Sequence, residues 1–202
     1  MTPRIASLVP SVTELVIALG LRERLVARTG FCIHPAAALA GVPKVGGTKD
    51  VNLIKLRRLA PTHVIVNVDE NRLETVQSMR DFVPHVVVTH PCDPEDNLGL
   101  IAQLAREFGD EPGVSERAAA LSAELRDELA RTKPNGRPVR DVLYLIWRNP
   151  WMTVARDTYI SRMLARVAWQ TWPPGPGGDT GAARYPVLTG GESWLPRVQE
   201  VL

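Results

Sequence analysis

The 202 residues, 45% of them hydrophobic and 23% charged, suffice for a real apolar core and fit one large domain or two smaller lobes. With 24 basic against 22 acidic side chains and a formal charge of +2, the chain carries no electrostatic footprint for nucleic acid. No apolar run reaches the ~18–20 residues of a membrane helix, which excludes membrane insertion by a helical span.

As written, no leader precedes the first strand-like run, so the sequence reads as cytoplasmic, or as periplasmic if a leader has been removed. Cys32 and Cys92 cannot frame a disulfide scaffold, and that count suits a reducing compartment.

Residues Ile5 to Val9 form a short apolar run without strict alternation, as expected of a strand buried on both faces of a parallel sheet. Ser11 and Glu14 have capping-box spacing for a helix with Val12, Leu15, Val16 and Leu19 as its buried stripe and Gly20 at its end. Leu53, Leu56 and Leu59 predict the next helix, Pro61 a stop, and His63 to Asn67 a strand. Leu73, Val76 and Met79 repeat the helix, and His85 to Thr89 the strand. Strand and helix in alternation predict a first α/β lobe over residues 1–92.

From Asp93 the pattern is helical only: Leu100, Ile101, Leu104 and Phe108 in one helix, Ala118, Leu121, Leu125 and Leu129 in another. Residues 93–138 therefore read as a helical bridge ending in a Pro/Gly turn. A second α/β lobe, residues 139–202, opens with a strand at Val142 to Ile146 and continues into a helix near Asp157 carrying Ile160, Met163, Leu164 and Val167. Trp172 to Gly178 is too rich in proline and glycine for regular structure and reads as an exposed, mobile loop. The strands that remain leave this lobe incomplete beside the first.

In parallel α/β sheets, ligands bind beyond the carboxyl ends of the strands. That rule selects Pro10 and Ser11, the segment from Thr29 to Pro35 with Phe31 and His34, the turn Gly46-Gly47-Thr48, and Asn67 to Asn71 with Glu70. In the second lobe it selects Trp147 to Thr153, with Trp147, Arg148 and Trp151, and the segment around Tyr185.

These segments resemble the helical-backbone class of ABC-transporter substrate-binding proteins, which carry cobalamin, iron siderophores or haem. The resemblance rests on Arg4 to Ser11 with Glu14-Leu15, Gly30 to Pro35, Val45 to Lys49, and Leu59 to Ile65, and spans nearly the whole chain. The Phe31-Cys32-Ile33-His34-Pro35 and Trp147 to Val154 segments are most similar to cobalamin-binding members. The resemblance implies two Rossmann-like α/β/α lobes with parallel sheets joined by a helical backbone, and a corrinoid or iron chelate held in the cleft between them. It also implies an ABC-transporter permease as partner, docked through an acidic side chain on each lobe, with Glu74 as the first-lobe candidate. No enzymatic chemistry and no cofactor are implied.

Side-chain chemistry sharpens this. The five tryptophans all follow residue 146, and Trp147 and Trp151 suit a flat macrocycle, while Trp169, Trp172 and Trp194 read as core or loop. Arg148 suits a ligand phosphate or carboxylate. Asp69, Glu70 and Asn71 suit ligand amides, and His34 a polar contact or an axial ligand to a metal chelate. A competing reading gathers Cys32, His34, His90 and Cys92 into a zinc site, although their spacing fits no standard motif. Ser11 lacks the Gly-x-Ser-x-Gly setting of a hydrolase nucleophile and reads as a cap.

Overall fold

Four short strands, β1 (Ile5–Ser7), β2 (Leu25–Arg28), β3 (His63–Asn67) and β4 (His85–Thr89), pair in parallel in the order β2-β1-β3-β4. In the computed structural model, which describes residues 2–178 and 181–189, the chain divides into two units. The first contains the residues up to His90 with Leu98–Leu125, the second Pro91–Asn97 with the chain from Arg126 onward.

The first unit has the three layers expected of a parallel α/β lobe. Successive strand residues face opposite sides, so Ile5, Ile65 and Val87 join one core while Ala6, Val64 and Val66 join the other. On one side α1 (Pro10–Ala18) packs through Val12, Val16 and Leu19. On the other lie α2 (Leu53–Arg58) and α3 (Leu73–Met79) with Leu56, Val76 and Met79. The two expected bridge helices form as α4 (Asp96–Phe108) and α5 (Val114–Arg131). Leu100, Ile101, Leu104, Phe108 and Ala118 bury into the same core as α1, so much of that segment is a layer of the first unit.

Several local expectations change. The helix α1 begins two residues early because Pro10 occupies its first turn, where a missing N–H goes unnoticed; Val9 is the cap residue and Ser11 makes no capping bond. At its other end Gly20, at φ +80°, donates to the Ile17 carbonyl while Leu21 donates to Val16, a Schellman ending. The strand β2 has no counterpart in the sequence reading.

In the second unit β5 (Arg140–Val142) pairs in parallel with β6 (Trp169–Thr171), and α6 (Tyr159–Ala165) lies between them in sequence. The predicted strand at Val142 to Ile146 is thus displaced toward the amino terminus, and Trp169 opens a strand that was read as core or loop. Met163, expected on the helix near Asp157, lies on α6 and is exposed. Trp172 to Gly178 has no regular structure, as expected, yet is tied down: both Asp157 carboxylate oxygens accept backbone N–H groups, from Gly177 at 2.7 Å and Gly178 at 3.1 Å. A short helix, α7 (Gly181–Arg184), follows. Trp194 and the segment from Glu192 to Leu202 lie outside the described residues.

Candidate functional site

The strand order creates the site's location. The chain leaves β1 toward β2 on one side, returns across to β3, and continues to β4 on the other, so β1 and β3 flank a topological switch point. Loops following two neighbouring strands diverge there and leave a crevice beyond their carboxyl ends. Pro10 and Ser11 follow β1, and Asn67 to Asn71 end and follow β3.

Asn71 holds these loops in place. It is only 6% exposed, and its side chain accepts from the Asn67 N–H at 2.9 Å and donates to the Thr48 carbonyl at 2.9 Å and toward that of Leu8 at 3.5 Å. One amide thereby links the ends of β1 and β3 to the glycine turn. Its polar atoms are consumed by backbone, so Asn71 is a positioning residue here, whereas Asn67, Asp69 and Glu70 stand at the half-exposed rim. Asn67 Oδ1 accepts from the Asp69 N–H at 2.8 Å, and Lys49 Nζ donates to the Asp69 carbonyl at 2.5 Å.

The glycine turn requires its glycine. Gly46 has φ +106°, and a Cβ there would lie 2.3 Å from the Asp50 carbonyl oxygen. Its carbonyl accepts from the Gly30 N–H at 2.7 Å, which fixes the loop after β2 beside it. Phe31 then projects outward at 64% exposure with its ring edge against Gly47, a Cβ at which would meet that ring at 3.3 Å. Ile33 and Val68 are also exposed on strand-end loops. The sequence reading selected the segments that hold both without singling either out, though an apolar residue flanked by loop chemistry was the available signal.

Beneath Phe31, Cys32 is buried at 1% exposure, its sulfur 3.1 Å from both the Thr13 and the Thr29 hydroxyl. Ser7 completes the knot at 2.7 Å from the Thr13 hydroxyl. That placement corrects the zinc reading: Cys32 faces inward, His90 pairs with Asp69 at 3.5 Å, and Arg184 approaches the Cys92 sulfur at 3.2 Å. Among the described residues, the group able to share a metal ion contains none of Cys32, His34, His90 and Cys92. His34 is exposed and lines a surface recess with Glu14, Leu15 and Ala18 on the flank of α1, not the rim held by Asn71.

In the second unit Trp147 and Met152 bridge across a tight turn containing Arg148 and Trp151, with the Arg148 guanidinium 5.6 Å from the Trp151 ring centroid. Trp147 is 63% exposed. Tyr185 lies on the segment that pairs with this turn, since Thr153 donates to Pro186 and Leu188 to Trp151. Trp147, Arg148, Trp151 and Tyr185 are therefore neighbours within this unit.

Residues 5–173 match the sequence profile of the periplasmic binding protein family. Over 162 residues the chain is 26% identical to a vitamin B12-binding protein of Vibrio parahaemolyticus, covering 79% of this chain and 57% of that one. A vitamin B12-binding protein of Vibrio vulnificus is 27% identical over 157 residues, 77% of this chain and 56% of its own. The chain thus spans a little over half the length of these curated relatives. The fold is shared with the periplasmic vitamin B12 binding protein BtuF of Vibrio cholerae, at TM-score 0.77 and 22% identity over 93% of this chain and 70% of that one. It is shared equally with the periplasmic heme-binding protein RhuT from Roseiflexus sp. RS-1, at TM-score 0.75 and 22% identity over 94% and 71%.

Proposed function

Because the chain belongs to the periplasmic binding protein family, we propose that it binds cobalamin or a related corrinoid and delivers it to an ABC-transporter permease. The observation that carries this reading is Phe31: a large apolar ring held out in solvent on a loop that backbone hydrogen bonds and a strained glycine keep rigid. Exposed apolar surface on a rigid strand-end loop gains free energy when a flat hydrophobic ligand covers it. Ile33 and Val68 extend the apolar surface, and Pro10, Ser11, Gly47, Asn67 and Glu70 supply the rim that orients polar substituents. Within the second unit, Trp147 and Trp151 with Arg148 and Tyr185 offer an aromatic and polar surface that suits the same class of ligand. The curated relatives, which are vitamin B12-binding proteins, favour a corrinoid among the flat ligands.

Delivery uses Glu74, exposed in the first turn of α3, as a docking carboxylate on this unit. The periplasm is the place of action, in keeping with the solved relatives, and the cytoplasmic expectation draws no support from them.

Haem or an iron chelate is the second reading, favoured by the likeness to RhuT and by the exposed imidazole of His34. Parallel titrations with cyanocobalamin, hemin and a ferric hydroxamate, read by tryptophan fluorescence, separate the two. Saturable quenching by cyanocobalamin at the lowest concentration supports the corrinoid. Saturation by hemin alone, with a Soret shift lost in His34→Ala, overturns it.

A further inference from the structure

β3 and β4 each open on a histidine, and their parallel register sets His63 directly against His85. This end of the sheet is opposite the strand-end loops, about 13 Å away along five-residue strands. The two imidazoles stack with centroids 4.5 Å apart at 11°. From α4, Glu107 brings Oε1 to 3.4 Å from His63 Nε2 and 3.9 Å from His85 Nδ1. The three side chains line a recess of about 320 Å³ with Thr62, Pro84 and Phe108, and their ligand atoms all lie within 4.8 Å of one another.

Thr62 stands at the other ring nitrogen of His63. Thr62 Oγ1 accepts the Arg4 N–H at 2.8 Å, directs its own proton toward the Arg4 carbonyl at 3.4 Å, and lies 2.8 Å from His63 Nδ1. In the tautomer that has Nδ1–H donating to Thr62, the Nε2 lone pair faces the Glu107 carboxylate, as metal ligation requires. In that tautomer a cation between Nε2 and the carboxylate satisfies both acceptors at once.

We propose that His63, His85 and Glu107 bind one divalent transition-metal ion of the zinc class, with a fourth position open to water. The 3.4 Å separation is about the edge of a tetrahedron whose metal–ligand bonds are about 2.1 Å. Imidazole and carboxylate donors suit zinc, cobalt and nickel, and Thr62 is placed to accept from His63 Nδ1–H when Nε2 binds the ion, as outer hydrogen-bond partners do at such sites. Coordination requires the His85 ring to rotate out of the stack, which its exposed position allows.

The test uses tag-free protein stripped with a chelator. Calorimetric titration with Zn²⁺ gives one ion per chain, and Co²⁺ gives visible d–d bands without thiolate charge transfer. His85→Ala and Glu107→Gln, with unchanged circular dichroism, weaken zinc binding beyond the roughly 10- to 100-fold typical of outer partners, and Thr62→Val weakens it about tenfold. Cys92→Ser leaves it unchanged. The proposal is overturned by absent saturation, by equal affinity in His85→Ala, by thiolate charge-transfer bands, or by loss of binding in Cys92→Ser.

Discussion

Asn71 shows how a site can depend on a residue that touches no ligand. Its amide satisfies the Asn67 N–H and the Thr48 carbonyl in a buried position, and truncation strands both. Asn71→Ala should therefore destabilise the first unit by about 2 kcal/mol, read as a lower urea midpoint. Asn71→Asp, which sets a carboxylate oxygen against the Thr48 carbonyl, should cost at least as much. A midpoint unchanged in both would remove the clamp. Asp157 makes a matching prediction in the second unit. Burial raises its pKa, but the Gly177 and Gly178 amides, with its own N–H and Arg184, outweigh that and hold it below the ordinary carboxylate value. A depressed pKa contributes stability that is fully present above the unfolded value of about 3.9 and is lost as pH falls through the lower folded one. The Gly177 and Gly178 amide resonances should titrate with a midpoint below about 3.9, and Asp157→Asn should abolish the transition. Sequence could place Asn71 in the right loop but not distinguish a buried clamp from a rim contact, because burial is decided by the neighbouring turn at Thr48. It failed likewise for Cys32, whose partners Thr13 and Thr29 come from separate elements.

Helices were read more reliably than strands, for a physical reason. Each of α1 to α5 repeats its apolar residues at three- or four-residue spacing, whereas β2, β5 and β6 have only three or four residues, polar or charged side chains among them, too few for periodicity to register. Capping chemistry was half legible. Gly20 was correctly taken as an ending, but the proline ahead of Ser11 overrode the capping box. The Gly20 ending also has a tertiary partner invisible to local reasoning: Arg117 of α5 donates to the Leu19 carbonyl at 2.8 Å and to that of Pro112 at 2.7 Å. A Cβ on Gly20 would lie 2.4 Å from that guanidinium. Gly20→Ala should cost about 1–2 kcal/mol from its left-handed φ, plus the displaced arginine bonds. Its cost should shrink in an Arg117→Ala background; strict additivity in that double-mutant cycle would show that the contact is not felt.

For the chain as a whole, the alternation of strand and helix foretold the parallel α/β class, and the switch-point rule found the loops that Asn71 and Gly46 organise. The order and spacing of short motifs pointed to the binding-protein family whose profile covers residues 5–173. Ligand choice was less legible, since corrinoid and haem are both broad, flat and partly apolar, and the residues that would cover either are the same aromatic ones. The His63–His85 pair escaped notice because only strand register, not sequence proximity, brings residues 22 positions apart face to face. Calorimetric titration of the intact chain with cyanocobalamin reads the central claim most directly. One-to-one saturable binding is predicted, weakened about tenfold or more by Phe31→Ala while the urea midpoint stays unchanged. A flat titration, or equal affinity for the wild type and Phe31→Ala, would contradict it.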